Sequence, residues 1–100
     1  MTFGGAIREA RRVLGVSQKD LAAQLKKEDG TPISPQYLND IELDRRLPPP
    51  YLIEQLAKRL KLEGDYLYVL AGQFPADVRA GRYQPESVQA ALRAFRKSLK

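Results

Sequence analysis

The chain has 100 residues, 43% of them hydrophobic, a single-domain length with enough apolar side chains for one modest core. It holds no cysteine and no histidine, which excludes disulfides, thiolate metal sites and cysteine nucleophiles and removes the commonest general base and metal ligand, so neither enzyme chemistry nor a metal or cofactor is expected. The net charge of +5 is unevenly spread: residues 1–27 and 74–100 each carry +4, residues 51–73 balance, and residues 28–50 carry −3, so a polyanionic partner is favoured but a featureless basic patch is not.

The N-terminus, M-T-F-G-G-A-I-R-E-A-R-R, lacks the apolar stretch of a signal peptide, and the longest apolar run, Tyr66 to Ala71, is too short to span a bilayer. A cytoplasmic protein with no membrane contact is therefore the expectation. Ile7, Ala10 and Leu14 share one face of a first helix from about Phe3 to Leu14, closed by Gly15. Ser17 then stands three residues before Asp20, a short-armed capping box opening a second helix with Leu21, Ala22 and Leu25 on its apolar face. Lys26 to Ile33 contains Asp29-Gly30 and Thr31-Pro32 and reads as a loop. Asp-Gly can also mark a hairpin, but the flanking patterns are helical rather than alternating, which ranks the hairpin second.

A third helix starts at Ser34, a residue able to accept a capping hydrogen bond, with Pro35 in the first helical position, where a missing N–H costs nothing. Leu38 and Ile41 face inward, leaving Gln36, Tyr37, Asn39 and Asp40 outside. A helix that exposes two amides, a phenol and a carboxylate has little reason to do so for folding, and it reads as a reading head for nucleic acid. The same face is open to a merely solvated role, and Tyr37 to packing at the helix end.

Leu47-Pro48-Pro49-Pro50 is a stiff connector. A fourth helix follows with Leu52, Ile53, Leu56, Ala57 and Leu60 buried, and Gly64-Asp65 opens a short fifth, ended by Gly72. Glu63 and Asp65 flank that helix start without a base or nucleophile beside them, so they read as caps rather than as a catalytic carboxylate pair. Residues 74–83 read as an irregular connection. Pro85 opens a sixth helix whose Val88, Leu92, Phe95 and Leu99 make a narrow apolar stripe, suited either to packing on its own domain or to a partner surface.

Three blocks in this order, L-G-V-S-Q-K-D-L-A-A-Q-L, Y-L-N-D-I-E-L-D-R-R-L-P and L-A-K-R-L-K-L-E-G-D-Y-L, resemble the XRE-type helix-turn-helix family of phage repressors and Cro, over roughly residues 5–71. The resemblance implies an all-α fold: a five-helix repressor-like bundle with a helix-turn-helix, followed here by a C-terminal helix. It divides the chain into a DNA-binding domain, 1–73, and an extension, 74–100, for oligomerisation or partner binding. It puts Gln36, Tyr37, Asn39 and Asp40 at base-facing positions, and Gln18, Arg45 and Arg46 at the phosphate backbone, where Lys19 and Ser34 are also expected. Arg11 and Glu42 match a pair that forms an internal ion pair behind the reading surface.

Two departures from the pattern stand out. The turn between helices two and three is about twice the family's usual length, so the third helix is either displaced or accompanied by a loop along the DNA backbone. Asp44 also takes a position usually held by glycine, which aspartate tolerates at some cost. The implied function is sequence-specific recognition of double-stranded DNA by a homodimeric transcriptional regulator, most simply a repressor. The alternative is an antitoxin or related module whose C-terminal helix grips a partner protein, such as a toxin, while the helix-turn-helix controls its own operon.

Overall fold

A computed structural model describes all 100 residues. Seven helices follow in order: α1 Phe3–Val13, α2 Gln18–Gln24, α3 Pro35–Glu42, α4 Pro50–Leu60, α5 Gly64–Leu70, α6 Ala76–Arg79 and α7 Pro85–Ser98. The fold is all-α, as its helical periodicities require, and none of its helices is long and apolar enough to cross a membrane.

Each of the first three helices starts on a hydroxyl. Thr2, Ser17 and Ser34 accept hydrogen bonds from the backbone N–H of Gly5, Asp20 and Tyr37, satisfying donors that a helix start leaves unpaired. Of the capping box at α2, this is the half that forms. At the start of α5 the capping expectation fails for Glu63: it takes the N-cap position, but its side chain makes no capping bond. Asp65 lies in the first turn, where its charge suits the helix dipole.

The core gathers Ile7, Leu21, Leu25, Leu38, Ile41 and Leu56, all at 0–2% exposure, with Leu52, Ile53 and Leu67 completing it. Burial of each such side chain contributes about 1.5–3 kcal/mol, and it is these contacts that clamp α3 between α1 and α2. At Gly4 the backbones of α1 and α3 come together so closely that a Cβ would run into the carbonyl oxygens of Ile41 and Glu42. Asp44 completes that junction. It adopts φ +60°, and its carboxylate accepts from Gly4 N at 2.8 Å and Thr2 Oγ1 at 2.7 Å. The aspartate in the glycine position thus offsets its backbone cost by capping the first helix.

The long connection between α2 and α3 departs from the loop expectation. Lys26 and Pro32 form an isolated antiparallel bridge, Lys27 N donates to Thr31 O at 2.8 Å, and Asp29-Gly30 makes the turn, so a minimal hairpin forms after all. Hydrogen bonds from the Thr31 hydroxyl and backbone hold the Asp29 carboxyl below its usual range and fix the tip. The hairpin is pinched at its base, where Ile33 N donates to Leu25 O at 3.0 Å and both side chains enter the core. The extra residues therefore loop outward, and α3 stays packed on α2. From α4, Gln55 clips the base: its Oε1 accepts from Lys26 N at 2.8 Å and its Nε2 donates to Lys26 O at 2.9 Å.

Residues 74–83 also differ from expectation, because Pro75 and Asp77 start a one-turn helix, α6. Neither α6 nor α7 buries any residue.

At the α4–α5 contact the buried Tyr68 hydroxyl donates to Glu54 Oε1 at 2.7 Å. Burial, with the neighbouring Glu54 second, pushes the Tyr68 hydroxyl up to about 12. A group whose folded value is raised contributes stability that is complete below its unfolded value, about 10 for tyrosine, and is lost as pH rises through the folded one. Thermal melts should therefore lose stability between roughly pH 10 and 12. Tyr68→Phe should flatten that part of the profile; an unchanged alkaline slope would show that another group controls it.

Candidate nucleic-acid interface

Behind α3 lies a buried polar knot. Glu42, at 5% exposure, is the one charged residue among the buried set. Its Oε2 accepts from Arg11 Nε at 2.7 Å and its Oε1 from Arg11 Nη2 at 3.0 Å, a two-pronged pairing. Arg11 Nη1 donates to Val16 O at 2.9 Å, so one guanidinium ties α1, the α1–α2 turn and α3 together. The hydrogen bond and charge of Glu42 raise the Arg11 pKa against the opposing effect of its burial. Gln18, the first residue of α2, sends its Nε2 to Glu42 Oε1 at 3.0 Å and to Asn39 Oδ1 at 3.1 Å.

Ahead of the knot is the outer face of α3. Gln36 is exposed, and Asn39 and Asp40 are partly so. Gln36 Nε2 donates to Asp40 Oδ1 at 3.1 Å, one helical turn away, and Arg45 Nη1 approaches the same oxygen at 3.9 Å. Asp40 is thus flanked by a donor and a cation on the surface it was expected to read with. Tyr37 is half-buried and packs on the core, with the Arg46 guanidinium 4.7 Å above its ring centre. That stacking ties Arg46, which follows α3, back to Tyr37 in the first turn of the helix.

The residues expected at the phosphate backbone are dispersed around this face. Lys19, Ser34, Arg45 and Arg46 are exposed. The Ser34 oxygen caps α3 but its hydroxyl proton is free to donate. Gln18 is partly covered and turned inward, its amide hydrogens directed at Glu42 and Asn39.

Several contacts that shape the site escape sequence reasoning. Gln55 is a lone amide among the apolar residues of α4, and that is the only local signal for its role. The Gln18–Asn39 bond spans 21 positions and the Gly4–Asp44 cap 40, so no short-range pattern announces either.

The groups that α3 presents, an amide, a second amide and a carboxylate on a rigidly backed helix with exposed cations after its end, match the donors and acceptors of base edges and phosphates. No curated protein and no solved structure matches the chain. A family model described as helix-turn-helix matches residues 7–67, from within α1 to within α5. The chain belongs to the XRE-type helix-turn-helix family and is a DNA-binding regulator of that kind.

Proposed function

We propose that the protein is a sequence-specific repressor that reads the major groove of double-stranded DNA with α3 and binds a two-fold related site as a dimer. The observation that carries the reading is the polar outer face of α3, Gln36, Asn39 and Asp40, backed by the buried Arg11–Glu42 pair. Amides and a carboxylate on a helix that fits the groove can discriminate base pairs, while Lys19, Ser34, Arg45 and Arg46 fix register on the phosphates. Selection of bound fragments from a random duplex pool, with affinity followed against salt, tests it. Enrichment of a defined, inverted-repeat site supports the reading, and an unenriched pool refutes it.

Arg45 is the cleanest phosphate probe, because its side chain is 66% exposed and holds Asp40 only loosely. Arg45→Ala should weaken all DNA about equally and reduce the salt slope by about one charge. A change confined to which sequence is preferred would place Arg45 at the bases instead.

For α7, the specific observation is an open groove of about 680 Å³ lined by Val69, Phe74, Val78, Val88, Leu92 and Phe95. Leu99, the next apolar residue of the stripe, is 69% exposed. A helix that leaves its apolar face uncovered serves as the dimer contact in this reading, and a partner protein is the second occupant it could take. Deleting residues 84–100 should leave a folded helical domain whose mass in sedimentation falls from dimer to monomer. Outright unfolding of the truncated chain would assign α7 to its own core.

A further inference from the structure

We infer that Gln18 is a positioning residue that fixes the amide of Asn39 with its nitrogen outward, so that Asn39 selects guanine rather than adenine. The inference deepens the major-groove reading of α3 and rests on it.

Glu42 sets the orientation of both amides. A carboxylate gripped on both oxygens by Arg11 is ionised and can only accept hydrogen bonds. The end of the Gln18 amide that faces it must therefore be the NH₂, and it sits 3.0 Å away. That nitrogen carries a second hydrogen, directed at the Asn39 side chain at 3.1 Å. Facing a donor, Asn39 must offer its carbonyl oxygen, because its own NH₂ there would oppose donor to donor. The Asn39 nitrogen, on the other arm of the same planar amide, then points away from Gln18 and makes no hydrogen bond within the protein.

Two consequences follow for recognition. An asparagine free to turn offers one donor and one acceptor and pairs bidentately with adenine, which shows N7 and N6–H₂ in the major groove. With its oxygen turned inward onto Gln18, the outward arm of the Asn39 amide presents only the donor NH₂ to a base edge. Guanine, with N7 and O6 both accepting, is the base edge that matches. For Gln18 itself, both amide hydrogens are consumed within the protein, so its side chain has no donor left for a phosphate, and its free oxygen would face an acceptor.

Site selection from randomised duplexes with the full chain and three variants tests this. The parent should demand guanine at one base pair of each half-site, and Asn39→Ala should abolish that demand. Gln18→Met keeps the chain length but frees the Asn39 amide. It should admit adenine at that pair, reducing a preference of about ten- to hundredfold to a few-fold, with non-specific affinity and salt slope unchanged. Asn39→Asp, acceptor-only, should reject guanine.

Adenine selected by the parent at the Asn39-dependent pair would overturn the inference and leave the major-groove reading intact. So would a uniform loss of affinity with a smaller salt slope in Gln18→Met, the signature of a phosphate contact. A parent that selects no sequence at all would refute both readings together. Should Gln18→Met fail to fold, exchange of the side-chain amide protons in the free parent decides. Protected Gln18 and unprotected Asn39 NH₂ protons support the arrangement, and the reverse pattern overturns it.

Discussion

Glu42→Ala should cost the fold about 3–5 kcal/mol, the range for breaking a buried ion pair by removing one partner. The Arg11 side chain is only 13% exposed, and without Glu42 its guanidinium keeps the Val16 carbonyl but loses both charged hydrogen bonds. Gln18 loses an acceptor at the same time. Against a domain stability of about 5–15 kcal/mol this is a large share, and at about 4–8 °C per kcal/mol the melting temperature should fall by at least about 12 °C.

Replacing both partners, Arg11→Met with Glu42→Leu, should recover much of that loss, because desolvating two charges offsets most of what their attraction contributes. The double-mutant cycle should therefore return a coupling energy well above about 1 kcal/mol. A cycle with no coupling would mean that the pair is a bystander and that α3 is held by Leu38 and Ile41 alone. The pair reaches beyond stability, since Glu42 also anchors the amide that faces Asn39.

What could be read from the residues alone divides along a physical line. Helices α1 to α5 were legible because each rule involved is local: a hydroxyl three residues ahead of an unpaired N–H, apolar residues at helical spacing, proline at a first turn. The hairpin at Asp29-Gly30 is faint in the sequence because strand pairing there is a single bridge, too short to impose alternation on its flanks. What pins it is Gln55, 29 residues from Lys26, through backbone atoms that carry no sequence signature. Asp44 was legible as a left-handed residue but not as the cap of α1, since only the closed fold brings residues 4 and 44 together. In the site, the residue types facing outward on α3 followed from the positions of Leu38 and Ile41. Which of them are already engaged did not, because Gln36 with Asp40, Tyr37 with Arg46 and Asn39 with Gln18 depend on rotamers.

Those engagements set up the contrast between Gln36 and Asp40. Gln36 is the most open of the reading groups, and its bond to Asp40 uses one amide hydrogen and leaves the other hydrogen and the oxygen for a base edge. A good bidentate contact discriminates by about 1–3 kcal/mol, about ten- to hundredfold in affinity. Gln36→Ala should therefore erase preference at one or two base pairs per half-site while non-specific binding and fold remain. Asp40 should behave differently, because a carboxylate next to the phosphates opposes binding to every sequence and is favourable only where cytosine N4 donates to it. Asp40→Ala removes that repulsion and also releases Arg45 from its 3.9 Å contact. Affinity for random duplex should rise, affinity for the selected site should fall or stay level, and the ratio between them should shrink by about ten- to hundredfold. Competition of selected against random duplex at two salt concentrations measures all three quantities. If both variants enrich the parent's site with the parent's ratio, α3 is not the reader, and the hairpin at Lys26–Ile33 is the next element to substitute.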